Sequence, residues 1–538
     1  MENREREQGS GWLWAVGWAA LVLTFSCLPY LIAWFTTPAG YQFGGLLVNP
    51  LDGHSYLAKM RQGWAGEWQF RLNYTPEPHE GAWVYTFYLA LGQLARLTGL
   101  SLVVVYHAAR LLAGLALLLA SYAFVRRLSG DLHERRLAYI LASASAGLGW
   151  LGLALGAFPI DLWVPEAFAF FSLLTNPHFP LALALMLYSV ARVVWRAAGK
   201  RGWLLPGLAA LALSVIQPIA LAPLYAALAG YLVLAYLVSP DSRRSVRGCV
   251  AHVVRCAPFV ATILFPLPML GYYFATFASN PILASWAAQD IDPAPALTDL
   301  ALGLGVIGGL SWVGAVTVIR RRDRKALALV AWGVTTLILI YLPVALQRRF
   351  STGLGLPLAM LAGLGLGQLA RSAAATAATR LGIRSVVGLG VTLSLAGSGF
   401  LLAILTAGAL GEQQPERLPN LVYLSHDEAA AMNWLLEHAS GSVVLAAPRT
   451  GIWLPAQAGV RVLVGHPLET IEAPSKQAQV EAFWRGQLSA QEWQGLRERY
   501  RVQYVFAGPA ERRLGPGPLL DQMPVAFKHG EVAIYRTF

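Results

Sequence analysis

The sequence predicts an all-α polytopic membrane domain of about eleven transmembrane helices, residues 1–410, followed by a small extracytoplasmic α/β domain, residues 411–538. Three observations carry this. Apolar residues fill 56% of the 538 positions and charged residues 13%, with a mean hydropathy of +0.50, more apolar surface than one globular core can hide from water. Apolar runs long enough to cross about 30 Å of hydrocarbon as helices of roughly 20 residues recur from residue 12 to residue 410. Inside lipid each segment must satisfy its own backbone polar groups, which selects helix. Beyond residue 410 such runs stop, and Gly411, Pro415 and Pro419 mark a boundary.

The first apolar run, 12–35, follows Arg4 and Arg6, exceeds a signal-peptide core in length and carries no A-x-A cleavage site, so it reads as a retained first helix. Further crossings fit at 102–125, 137–157, 179–198, 203–217, 219–238, 250–275, 297–319, 326–346, 353–370 and 386–410. The pair at 203–238 meets at Gln217-Pro218 and reads either as two short crossings or as one bent helix. Basic residues gather in alternate connections: Arg126, Arg127, Arg135 and Arg136; Arg196, Lys200 and Arg201; Arg243, Arg244 and Arg247; the run 320–325; and Arg371, Arg380 and Arg384. The positive-inside rule puts these connections in the cytoplasm, the N-terminus inside and, after an odd number of crossings, the tail outside.

Opposite the basic side lies the longest connection, 36–100, broken by Pro50, Pro76 and Pro78 and carrying Trp64, Trp68, Trp83 and Tyr85 as interfacial anchors. Two further outer segments, 159–180 and 279–299, hold Asp161, Glu166, Asp290, Asp292 and Asp299. These carboxylates could bind a divalent metal, but they lack a fixed ligand spacing, so a metal is not indicated and most of them read as solvated loop residues.

The tail alternates helix and strand. A helix at 427–439 opens with a capping-box pattern at Ser425 and Glu428. Strands at 442–446, 461–464, 502–506 and 532–535 enclose helices near 477–485 and 490–499, which makes a small α/β layer domain the economical assignment.

The net charge of +12 belongs to the membrane half: from residue 412 onward there are twelve basic and thirteen acidic side chains. Nucleic acid is therefore no expected partner. Cys27, Cys249 and Cys256 lie in or beside apolar helices and define no disulfide framework. Gly303, Gly305 and Gly308 match G-x-G-x-x-G inside an apolar run with no preceding strand, and read, like Gly152 and Gly156, as close helix packing. No Walker A loop, H-E-x-x-H or G-x-S-x-G occurs.

Three places carry candidate chemistry. Where the chain leaves the first helix, Asp52 and His54 precede Lys59 and Arg61; Asp52 reads either as a helix cap or as a base that deprotonates a hydroxyl. Arg348 and Arg349 fall at the outer end of a predicted helix, against the charge bias. Guanidinium forks match phosphate oxygens, and the alternative is snorkelling toward ordinary headgroups. His178, in Asn176-Pro-His-Phe-Pro180, sits at the outer mouth of the fourth helix, there to bond a substrate or to cap its own turn.

The long first outer loop with Asp52-Gly-His-Ser-Tyr-Leu-Ala-Lys-Met-Arg61, the outer Gln347-Arg-Arg-Phe350 and the α/β tail together resemble the GT-C superfamily of membrane glycosyltransferases. The likeness is to its bacterial members related to the protein mannosyltransferase, aminoarabinose transferase and oligosaccharyltransferase groups. It implies a polyprenyl-phosphate-linked sugar donor, a lipid, glycan or protein acceptor, a multi-pass bacterial cytoplasmic membrane location, and inverting transfer. Asp52 takes the place of the presumed base, Arg348 and Arg349 that of the donor-phosphate ligands, and His54, Lys59, Arg61 and His178 that of substrate contacts. Gly53 stands where the family often carries a second acidic residue, which argues against a metal-dependent version. The readings from other classes are a multi-pass transporter or lipid flippase and a non-catalytic envelope assembly protein.

Overall fold

The computed structural model describes residues 2–195, 202–238, 256–372, 377–411 and 421–537. The basic clusters at Arg196, Lys200 and Arg201 and at Arg243, Arg244 and Arg247, together with Cys249 and the boundary stretch 412–420, lie outside them, as do the side chains of Arg4, Arg6 and Arg380.

Ten of the eleven predicted crossings coincide with apolar helices. Among the described residues seven are long and apolar enough to span a bilayer: Gly11–Phe35, Leu102–Leu128, Pro218–Leu237, Cys256–Ser279, Leu297–Arg321, Arg348–Arg371 and Gly382–Leu410. Three are shorter, His178–Val194, Leu204–Ile216 and Leu327–Ile340. The chain is a multi-pass membrane protein. The region 203–238 is two helices parted at Gln217, whose extended backbone (φ −154°) precedes Pro218.

The segment expected at 137–157 is the exception. A helix of 13 residues, Leu132–Ala144, stops before the glycine-rich stretch, and only a 6-residue helix, Gly149–Ala154, follows. Between them Ala146 N–H donates to the Ser394 carbonyl and Leu148 N–H to the Leu302 carbonyl, so the backbone finds partners on neighbouring helices. Gly147 makes this approach possible, since a Cβ there would lie 2.0 Å from the Gly303 carbonyl oxygen. The G-x-G-x-x-G run is a packing surface, as expected, and its middle member, Gly305, adopts φ 46°, ψ −133° and kinks helix Leu297–Arg321.

Compactness divides the chain differently from composition. One unit comprises Met1–Leu28, Ala109–Tyr272 and Ile291–Ile404; the other comprises Pro29–Ala108, Tyr273–Asp290 and Leu405–Phe538, so the first long connection groups with the tail.

In the first unit helix Leu297–Arg321 packs on Gly355–Ser372, which also packs on Leu132–Ala144. Glycines set the spacing: a Cβ on Gly314 would lie 1.9 Å from the Leu361 carbonyl oxygen, and one on Gly363 2.3 Å from Ala138 Cα.

In the second unit strand β1 (Tyr41–Phe43) pairs antiparallel with β2 (Tyr423–Ser425). Helix Pro50–Trp64 packs on Thr86–Thr98 through Gly63 and Gly92, whose Cβ atoms would lie 2.1 and 2.0 Å from the Leu89 and Met60 carbonyl oxygens. The tail sheet contains β3 (Val443–Leu445), β4 (Arg461–Val462), β5 (Val502–Ala507), β6 (Val525–His529) and β7 (Val532–Arg536) in the order β4-β3-β5-β7-β6. β3 runs parallel to β4 and β5, while β7 is antiparallel to β5 and β6. Alternate residues enter opposite cores: Val444 and Phe506 join helices His426–His438 and Pro448–Ala458, whereas Val443, Leu445 and Val505 join Ala473–Trp484 and Ala490–Tyr500. The predicted capping box at Ser425 and Glu428 is present.

Candidate functional site

Two clusters of ionisable side chains stand out, one in each unit. In the second unit, helix Pro50–Trp64 begins directly after Asn49, which takes a left-handed conformation (φ 44°, ψ 61°) that Pro50 then fixes into a helix start. Asn49 is the cap: its side-chain oxygen accepts from Asp52 N–H at 3.4 Å. Asp52 therefore has no capping duty, which corrects the capping alternative read from the sequence. Its Oδ2 accepts from Asn49 Nδ2 at 2.6 Å and its Oδ1 faces His466 Nε2 at 3.0 Å. Burial pushes its carboxyl up, but the His466 and Asn49 hydrogen bonds and nearby Lys59 outweigh it and hold Asp52 below the usual carboxylate range. Asp52 keeps 42% of its side chain accessible.

The other expected side chains of this helix are enclosed. His54 is fully buried, meets the Leu421 carbonyl through Nε2 at 2.9 Å and packs on Trp453; burial lowers its pKa to about 4, so it is neutral. Lys59, 1% exposed, donates to Ser55 Oγ and to Glu469 Oε1 at 2.8 Å, and lies 4.3 Å from the Tyr85 ring centroid. Arg61 Nε donates to the Ala456 carbonyl at 3.0 Å, and burial lowers its pKa to about 10. His54 and Lys59, expected to face substrate, have their surfaces covered by protein.

His466 and Glu469 were not singled out in the sequence. They lie on the loop after β4, where two backbone hydrogen bonds to the His466 carbonyl, from Glu469 N–H (3.1 Å) and Thr470 N–H (2.8 Å), close a tight turn. The readable signal was Gly465-His-Pro467 just beyond a predicted strand, because sites in α/β sheets gather past the carboxyl ends of parallel strands.

In the first unit Arg348 and Arg349 both donate to Asp292, and Arg348 also lies 3.8 Å from Glu166 and 5.2 Å from the Trp163 ring centroid. Backbone bonds lock the pairing: Arg348 N–H donates to the Asp292 carbonyl at 3.1 Å, and Asp292 N–H to the Ala345 carbonyl at 2.8 Å. Burial raises the Asp292 carboxyl, but the two guanidiniums outweigh that and hold it low. Glu166 goes the other way, because its burial exceeds what Arg348 and Arg349 restore. Asp161 caps the start of Gly149–Ala154, accepting from Gly149 N–H at 3.0 Å; burial raises its pKa to about 6. Asp161, Glu166 and Asp292 are thus buried, not solvated as expected, because short 3-10 turns and tight loop pairing fold the outer segments over them. His178 is buried at the first turn of His178–Val194, beside Phe179.

Among the described residues no group of three or more His, Cys, Asp and Glu side chains is arranged to hold a metal ion.

No protein-family model matches the chain, and no curated protein matches it in sequence. Solved structures do. ArnT from Cupriavidus metallidurans bound to undecaprenyl phosphate is 14% identical at a TM-score of 0.53, over 97% of this chain and 98% of that one. Its apo state gives 0.52 over the same shares. The Archaeoglobus fulgidus oligosaccharyltransferase tethered with an acceptor peptide is also 14% identical, at 0.48, over 94% of this chain and 72% of that one. Sharing its fold with ArnT over nearly the whole of both chains, this protein is a polytopic membrane protein of the GT-C fold.

Proposed function

We propose that the protein transfers a sugar from a polyprenyl-phosphate-linked donor to the hydroxyl of a lipid, glycan or protein acceptor on the outer face of the bacterial cytoplasmic membrane, with inversion and with Asp52 as base. The observation that carries this reading is the contrast within one helix: His54, Ser55 and Lys59 are buried, while Asp52 is ionised, gripped on both oxygens and still 42% accessible. A merely structural carboxylate with two such donors gains nothing from an open face. The shared fold with ArnT, solved with undecaprenyl phosphate bound, supports the donor class.

In the reaction the acceptor oxygen attacks the anomeric carbon as the bond from that carbon to the phosphate oxygen breaks. The phosphate leaves with the bonding pair, and the hydroxyl proton passes to Asp52. A carboxylate held below its usual range is a weak base, so proton transfer comes late, once bond formation has made the hydroxyl acidic. Arg348 and Arg349 hold the donor phosphate in this reading. Their guanidinium forks match phosphate oxygens, and a donor phosphate would compete with Asp292 and Glu166 for them.

Asp52→Asn keeps the shape of the side chain but cannot take a proton, and its amide nitrogen replaces the acceptor facing either Asn49 or His466. Purified variant in proteoliposomes, supplied with radiolabelled undecaprenyl-phosphate hexoses and pentoses and an envelope extract as acceptor, should show no transfer while still unfolding cooperatively, with a melting temperature lowered by no more than the loss of one hydrogen bond. Wild-type turnover by this variant would remove the base assignment.

A further inference from the structure

Residues 52, 55 and 59 share one face of helix Pro50–Trp64, spaced i, i+3 and i+7. The tail loop after β4 addresses that face at two points. Glu469 accepts from Ser55 and Lys59, and His466 meets Asp52 at 3.0 Å. We propose that His466 is a positioning residue of the sugar-transfer site, holding the Asp52 carboxylate in a single orientation, so that the tail domain supplies part of that site. This rests on the reading of Asp52 as base.

The hydrogen-bond network assigns the tautomer. Leu468 N–H donates to His466 Nδ1 at 3.2 Å, so Nδ1 presents a lone pair and the Nε2 N–H is aimed at Asp52 Oδ1. The ring cannot turn away: it is 3% exposed and 5.8 Å from the Tyr74 ring centroid, and the Glu469 anchor fixes the loop three residues on. With Asn49 on Oδ2 and His466 on Oδ1, rotation of the carboxylate about Cβ–Cγ is blocked, and its remaining lone pairs point in fixed directions. An arginine there would orient Asp52 equally well, but its full positive charge would suppress the basicity that proton removal needs.

The groups facing Asp52 are Asn49 and Lys59 of its own segment, His466 and Glu469 of the tail loop, and Tyr74. The decisive comparison is His466→Met, which loses the donor, against His466→Gln, whose amide nitrogen reaches the place of Nε2. Both are made in the full-length protein in detergent. One readout needs no turnover: a water-soluble carbodiimide labels protonated carboxyls, and mass spectrometry follows labelling of Asp52 against pH. His466→Met should move the labelling midpoint to higher pH, and His466→Gln should restore it most of the way.

The second readout is sugar transfer: losing one hydrogen bond to a charged group should lower kcat about ten- to hundredfold. KM for donor and acceptor should stay unchanged, and the glutamine variant should recover most of the rate. Unchanged labelling in His466→Met, or equal loss in the Met and Gln variants, overturns the proposal and makes His466 a structural tie. Failure of the base assignment looks different, because Asp52→Asn would then be active while the labelling shift still reports whether His466 governs Asp52.

Discussion

Replacing Lys59 by Met keeps the length of the side chain and deletes the charge that faces Glu469 in a buried pocket. Lys59 is 1% and the Glu469 side chain 9% exposed, at 2.8 Å, so solvent screening gives no relief. The variant leaves Glu469 with Ser55 as its side-chain donor, and removing one partner of such a pair costs about 3–5 kcal/mol. Glu469→Gln leaves Lys59 among the rings of Tyr56, Phe70 and Tyr85 and should cost a similar amount. The double variant leaves no unpaired charge and should recover most of the loss. At about 2–4 °C per kcal/mol for a unit of this size, each single variant lowers the Tm by roughly 6–20 °C. The pH dependence has a definite sign. Burial raises the Glu469 carboxyl, but the Lys59 charge and the hydrogen bonds from Lys59 and Ser55 outweigh it and hold it below the ordinary 4.5. In the wild type the stabilisation is therefore present above that value and lost as pH falls through the lower folded value. In Lys59→Met burial prevails and Glu469 rises, so the variant regains stability on acidification and its Tm gap to wild type narrows from pH 8 to pH 5. Thermal unfolding of the four proteins in detergent, followed by tryptophan fluorescence, tests this. A single-variant shift below about 2 °C, a gap that does not change with pH, or a double variant as unstable as the sum of the singles refutes the reasoning.

Replacing Arg348 and Arg349 together by Gln should weaken binding of undecaprenyl phosphate about ten- to hundredfold without affecting uncharged undecaprenol. Asp292→Asn should strengthen it, because the guanidiniums lose their internal competitor; equal responses of both lipids would reduce the pair to a headgroup anchor. Alkaline phosphatase fused after residue 411 should be active and a cytoplasmic reporter silent, and the reverse outcome would show that the bent segment 132–154 changes the parity of the crossings. Gly314→Ala places a Cβ 1.9 Å from the Leu361 carbonyl oxygen and should cost about 1–3 kcal/mol through forced separation of two helices, read as a lower Tm.

The membrane architecture was legible because lipid leaves a helix no alternative and length alone then reveals it. The segment 137–157 was not, since hydropathy counts its glycines as neutral, whereas their missing side chains let neighbouring carbonyls compete for the backbone. In the tail, strands with β-branched alternation were readable, but β6 and the Pro448–Ala458 helix were not: Val525–His529 carries Lys and His, and Pro455 lies within the helix. Asp52 could be singled out by its place after the first helix. Its partner could not, because His466 lies more than 400 positions away and only tertiary structure brings the two together. The same holds for Glu166 and Asp292, whose shared partner Arg348 lies far along the chain from both.

The ribbon of β1 and β2 joins Tyr41 to Ser425. During synthesis at about 5–20 residues per second, β1 and the helix bearing Asp52 wait roughly 20–80 seconds for the strand that completes them. Until then the edge of β1 is unpaired, and Lys59 has no Glu469. A chain that stops between residues 410 and 466 has every apolar run but no His466 to hold Asp52. Assembly of the candidate site therefore reports that translation has reached the tail, and a chain truncated before residue 466 lacks the tail partners of both Asp52 and Lys59.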